Sequence, residues 1–166
     1  MTMQAGILRR FHDVFLGVAF AVAALLTVLA RPASAEGERV IAVPELHAMT
    51  PEAEDDAALL TSALRARFHA MPSLRVVEEP VPMASPGHPD ILLPQFEKSR
   101  DLHFDLVLVG NAALLSDGRH KVSLRIWNVE KQTQLLGQQY VFRAYPGHEQ
   151  EIANVIGDAL VSALSQ

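Results

Sequence analysis

The residues that could do chemistry are easy to name. His47, His69, His88, His103, His120 and His148 follow the first 36 residues. A neutral imidazole is a good metal ligand and carries protons near neutral pH. No two of these histidines stand at i, i+4, none lies in H-E-x-x-H, and the chain has no cysteine. His120 follows an Asp-Gly turn and His69 ends a helical stretch, so both read as solvent positions. Glu52, Glu54, Asp55 and Asp56 crowd one stretch. A catalytic carboxylate pair needs two unequal environments in a cleft, whereas the first turn of a helix attracts acids by its dipole alone. Glu78 and Glu79 end a strand before Pro80 and read as a solvated edge. Gly110 follows an apolar strand as a phosphate-binding turn would. The residues after it, "NAALLSDG", contain neither G-x-G-x-x-G nor G-x-x-x-x-G-K-[ST], and no serine lies in G-x-S-x-G. Arg125 and Trp127 share a strand face, where cross-strand packing is the common role. These patterns point away from an enzyme, and they call for no cofactor and no metal.

The elements that would position these residues follow from periodicity. "RVIAVPEL" (residues 39–46) reads as a buried first strand ended by proline. Thr50 is placed to cap a helix with Pro51 at its first position, and Leu60, Leu64 and Phe68 form its core-facing stripe. Pro72 stops that helix, and "LRVVEE" (74–79) is a second strand. Residues 80–90 hold four prolines and one glycine, which predicts a surface loop. Part of "ILLPQFEKSRDLHF" reads as a short helix. The apolar run 106–109 predicts a strand buried on both faces. Asp117-Gly118 predicts a two-residue hairpin turn, because both positions tolerate positive φ. Val122, Leu124 and Ile126 then alternate with Lys121, Ser123 and Arg125 as a half-buried antiparallel strand. "EKQT" turns the chain again, and "QLLGQQYVFRA" returns as a third strand of the meander. The last helix carries Ile152, Val155, Ile156, Ala159, Leu160, Ala163 and Leu164 on one stripe. Gly157 weakens it by about 1 kcal/mol relative to alanine if exposed, so packing must hold it. The order β-α-β-(α)-β-β-β-α predicts an α+β domain of two layers, with a mixed sheet of about five strands and two main helices on one face.

The ends and the charge bound the rest. Arg9 and Arg10 precede an uncharged run of seventeen residues (14–30), and Ala33 and Ala35 occupy the −3 and −1 positions of an A-x-A site. Basic end, apolar run and small-residue site make a secretory signal peptide over 1–35, cleaved after Ala35. An uncleaved anchor is the rival reading, although the run is slightly short for a span of about 20 residues. The Arg9-Arg10 pair raises twin-arginine export as an alternative to the general pathway, with Asp13 against it. Removing 35 residues from 166 leaves 131, a single domain over 36–166. The removed part carries three Arg and one Asp, so 14 Lys+Arg become 11, 19 Asp+Glu become 18, and the net charge becomes −7. No clustered positive surface is available for nucleic acid. Without cysteine there is neither a disulfide framework nor a lipid-modified cysteine at the new start. A periplasmic protein that meets the membrane only before cleavage is expected.

One longer segment is specific enough to suggest a family. "DGRHKVSLRIWNVEKQTQLLGQQY" (117–140) closely resembles the end of the N-terminal domain of TolB, the periplasmic component of the Tol-Pal system. The family pattern is a DG turn, a strand like "FRLWDV", a short turn and "L-x-GQQY". Asp117-Gly118, Leu124 through Val129 and Leu136-Gly137-Gln138-Gln139-Tyr140 match it. Ile41-Ala42-Val43-Pro44 resembles the family's first strand, Phe104 through Gly110 its "LVGG"-type strand, and Ile152-Ala153 with Ile156 through Leu160 its closing helix. The first helix lacks the family's "DL-x-x-SG-x-F" wording, where only Leu64 and Phe68 fit. The loop 80–90 is idiosyncratic. The chain ends at Gln166, where TolB continues into the β-propeller that binds the lipoprotein Pal, so no Pal binding is implied. The resemblance implies a non-catalytic protein-interaction module in envelope maintenance. It also implies contact with an envelope protein such as TolA through the mature N-terminus, by position Glu36, Gly37, Glu38, Arg39 and Val40. Residues 36–39 are polar and are expected to be mobile beside a strand edge. The alternative is a small-ligand or peptide binder that uses a sheet edge or the cleft under loop 80–90. TolB-like domains also occur fused to other proteins, so the fold alone does not assign a function.

Overall fold

The structure is a computed structural model that describes residues 37–165, apart from Pro86 and Pro89. The expected signal peptide and its cleavage site lie outside the described residues. The elements run β1 (Arg39–Ala42), β2 (His47–Ala48), a 3-10 turn (Pro51–Ala53), α1 (Glu54–His69), β3 (Leu74–Val77), α2 (Phe96–Asp101), β4 (Leu106–Leu114), β5 (His120–Asn128), β6 (Thr133–Phe142) and α3 (His148–Leu164). The sheet order is β3-β1-β4-β5-β6, with β2 paired to β4. β1 is parallel to both β3 and β4, and β4, β5 and β6 form an antiparallel meander. This is the expected α+β architecture, with one short strand more than the sequence suggested.

β4 divides the core. Leu106, Leu108 and Ala112 join Leu60, Leu64 and Phe68 of α1 and Ile152, Ala153, Ile156 and Leu160 of α3 in one cluster. Val107 and Val109 point the other way, into a second cluster with Ala42, Val81, Leu92, Phe104 and Val129. An uninterrupted apolar run is what such a doubly covered strand needs. The two long helices cover the first face. The second face is covered by the chain between β3 and α2, which was expected to be a surface loop. Its prolines keep it out of the sheet, yet Val81 and Leu92 are buried, and each gains roughly 1.5–3 kcal/mol from that burial.

Four local expectations need correction. Thr50 precedes the 3-10 turn but makes no side-chain cap; its hydroxyl instead accepts the Leu114 N–H at 3.1 Å and ties the turn to β4. The hairpin after β4 closes through three residues, since Leu115 N–H donates to the Arg119 carbonyl and Gly118 N–H to Leu115. Within that turn only Gly118 takes positive φ, at +77°, so Asp117 keeps an ordinary conformation. The Arg119 backbone N–H and guanidinium both donate to Asp117 and hold its carboxyl below the usual carboxylate range. In α3 the buried stripe is Ile152, Ala153, Ile156, Gly157 and Leu160, while Val155 faces solvent. Gly157 is buried because Arg67 of α1 crosses it toward Asp158, and a Cβ there would lie 2.7 Å from Arg67 Nε. The meander's second turn (129–132) is closed by Asn128 Oδ1, which accepts the Lys131 N–H at 2.7 Å.

Candidate functional site

The residues expected to meet a partner fall on two sides of a boundary. Glu36 lies outside the described residues. Gly37 and Glu38 are exposed and belong to no element. Arg39 and Val40 are the first two residues of β1, which lies between β3 and β4. Arg39 N–H donates to the Ser73 carbonyl at 2.9 Å. Val40 N–H donates to Asp105 Oδ2 at 2.7 Å, and the Val40 carbonyl accepts from Asp105 N–H at 2.9 Å. The expectation of a mobile tail reaching Arg39 beside a strand edge is therefore corrected. β1 is an interior strand with both sides paired, and only the residues before Arg39 stand ahead of it.

A hollow forms where β1 breaks off. Pro44 has no N–H to give a ladder, and the chain leaves the sheet over 43–46 before rejoining β4 as β2. Two side chains of α1 satisfy this detour. Thr61 Oγ1 accepts the Leu46 N–H at 3.1 Å, and Arg65 Nε donates to the Val43 carbonyl at 3.0 Å. Gly110 sits against the detour inside β4, where a Cβ would lie 2.7 Å from both Leu46 and Leu124 and 2.8 Å from the Ser123 carbonyl. It is a close-packing glycine within a strand, and no phosphate turn forms there.

Above the detour the β1-α1-β3 crossover passes over one face of the sheet, and the segment from β3 through α2 to β4 passes over the other. Diverging crossovers leave a crevice at the carboxyl ends of their strands, where open α/β sheets commonly bind ligands. The crevice measures about 610 Å³. Pro44, Glu45 and His47 form one wall, Val109 and Gly110 the floor, and Pro80, Val81, Met83 and Leu92 the roof. Arg65 and Glu78 close one end with a 2.8 Å ion pair, so these two charges are already matched with each other.

Trp127 explains how a proline-rich roof stays in place. Its indole Nε1 donates to the Leu92 carbonyl at 3.0 Å, and its ring meets the edge of Phe96 at 5.7 Å. Gln95 N–H donates to the Pro82 carbonyl, and Gln95 Nε2 to the Met83 carbonyl, at 2.7 and 2.8 Å. The roof is a bridged loop pinned to β5. No periodicity could have announced it, although an aromatic on the face away from the helices was a signal for something that covers it.

A second polar cluster lies at the start of α3. His120 Nδ1 meets Asp56 Oδ2, and its ring stacks on Phe142 at 5.9 Å and lies near His148. With 17% of its side chain exposed, His120 is not the solvent residue its place after a turn suggested. Asp56 reaches across from the first turn of α1, so it does more there than complement the helix dipole. His148 Nδ1 lies 2.6 Å from the Tyr145 carbonyl. Tyr145 donates its hydroxyl to Glu151 at 2.6 Å, and that bond to a carboxylate raises the phenol above its ordinary range. The cluster joins α1, β5 and the entry to α3. Among the described residues no three His, Asp or Glu side chains converge so that they could hold a metal ion.

The fold is thus a mixed sheet with two long helices on one face and a bridged loop on the other. No family model matches the sequence. Among solved structures, TolB from Acinetobacter baumannii is similar with a TM-score of 0.54 at 15% identity, over 76% of this chain and 28% of that one. The chain therefore spans little more than a quarter of that TolB. The C-terminal domain of LpoB from Escherichia coli matches at 0.46 and 13% identity, over 73% and 94% of the two chains. A PelC dodecamer from Paraburkholderia phytofirmans matches at 0.45 and 17% identity, over 80% and 91%. At 15% identity the likeness to TolB is one of fold.

Proposed function

We propose that this chain is an exported, non-catalytic protein-interaction module of the bacterial cell envelope, related to the N-terminal domain of TolB and acting in Tol-Pal-linked maintenance. Cleavage after Ala35 would release it into the periplasm. The segment ahead of β1, Glu36 to Glu38, would contact an envelope protein such as TolA. The observation that carries this reading is the boundary at Arg39. A short exposed segment stands directly ahead of a strand locked between two others, so a binding peptide is presented from a fixed point. The fold likeness to TolB supports it, and so does a crevice whose arginine and one of its carboxylates neutralise each other rather than flank a reacting centre.

The crevice itself favours a second reading. A hollow of about 610 Å³ lies within the size range of small-molecule sites, and its apolar roof and floor suit an apolar ligand body. One experiment separates the two. The exported chain is crosslinked in cells, purified and examined by mass spectrometry. Recovery of TolA or another identified envelope protein is expected. A small molecule that copurifies stoichiometrically, with no protein crosslinked, would replace the first reading with the second.

A further inference from the structure

The two edges of the sheet are built differently. β3 has four residues, presents Arg75 to solvent and runs straight into Glu78, Glu79 and Pro80. Short length, charge and proline are the usual means by which a protein keeps an edge from pairing with another chain. β6, the opposite edge, has ten residues and contains neither a charge nor a proline. A bulge opposite Ile126 and Trp127 disturbs its beginning, and residues 136–142 then run regularly along β5. Seven regular residues offer an edge of about 23 Å. Among the described residues no strand pairs with its outer side. Beside that edge lie Val141, Tyr145 and Val155, exposed by 42%, 45% and 48%, around a hollow of about 130 Å³.

We propose that β6 pairs antiparallel with β6 of a second copy of this chain about a two-fold axis, joining the two sheets into one. About a two-fold axis residues equally far on either side of the centre face each other, so a charge at or beside the centre would stand close to its own copy. In a chain with a net charge of −5, β6 is a long strand on which that penalty vanishes. Its polar residues fit the same operator. Gln134, Gln138 and Gln139 carry amides that both donate and accept, and such groups are self-complementary where carboxylates and ammoniums are not. Pairing centred on Gln138 sets Leu136 against Tyr140, and pairing centred on Gln139 sets Leu136 against Phe142. Both registers oppose glutamine to glutamine and bring no two charges together. The apolar patch formed by Val141, Tyr145 and Val155 lies on the same border in each copy.

Sedimentation equilibrium of the exported chain tests the pairing, with exposed Gln139 changed to Lys in one variant and to Glu in another. The wild type is expected to sediment as a dimer. Each variant should dissociate at about tenfold higher concentration or more, because the introduced like charges stand directly opposite each other in the register centred on Gln139 and diagonally on one face in that centred on Gln138. An equimolar mixture of Gln139→Lys and Gln139→Glu should recover the dimer, which also shows that both variants are folded. A monomeric wild type, a larger closed ring, or variants that dimerise as well as the wild type would each overturn the proposal.

Discussion

Trp127→Ala should loosen the roof of the crevice and lower the stability of the whole domain. Truncating a fully buried tryptophan costs about 3–5 kcal/mol. Trp127 is half-buried, which places it at the low end, near 3 kcal/mol. About 1 kcal/mol of that belongs to the bond to the Leu92 carbonyl, and a similar amount to the edge contact with Phe96. In a domain of this size the loss lowers the melting temperature by about 10 °C. Trp127→Phe keeps most of the ring contact and should lose only about 1 kcal/mol. Urea unfolding gives the two stabilities, and hydrogen exchange shows where they act. The amides of Ala84 and Gln95 bridge the roof internally and should lose protection in Trp127→Ala before those of β4 do. Unchanged melting with unchanged exchange at these amides would refute the pinning. Lost partner binding at full stability would show that Trp127 is a surface contact.

Gly110→Ala should cost about 1–3 kcal/mol by overpacking, because the Ser123 carbonyl belongs to the sheet and cannot give way; thermal unfolding measures it. Deleting residues 36–38 should leave the melting temperature nearly unchanged, whereas extending the deletion through Arg39 removes a β1 hydrogen bond and about 1 kcal/mol, a step that scanning calorimetry resolves. Tyr145 should titrate above the ordinary phenol value of 10.0, since Glu151 holds its proton. Ultraviolet titration of the wild type against Glu151→Gln should show that midpoint falling back in the variant. The folded pKa is the raised one, so the contact contributes fully below pH 10.0 and is lost as pH rises through the folded midpoint.

What could be read from the sequence was whatever repeats with a local period. The Leu60-Leu64-Phe68 stripe, the alternation from Val122 to Ile126 and the apolar run of β4 each state their burial directly. The roof was hidden because no residue between Pro80 and Pro94 recurs with a period; its order comes from Trp127, more than thirty residues downstream. The break between β1 and β2 was hidden for a similar reason, since Thr61 and Arg65 hold it from another element. Val155 misled because the stripe of α3 is set by where Arg67 crosses Gly157, a contact between two helices. His120 misled because a turn residue is usually solvated, and its partner Asp56 lies 64 positions earlier. The N-terminal segment was legible as polar, while the interior place of β1 depends on pairing order, which local sequence does not encode.

Calorimetric titration of the periplasmic region of TolA with residues 36–166 tests the central claim most directly, run in parallel with residues 39–166. The account expects saturable binding by the full chain and binding weakened at least tenfold by the truncation, with both proteins melting at the same temperature. Equal affinity of the two chains, or no heat from either, would contradict it.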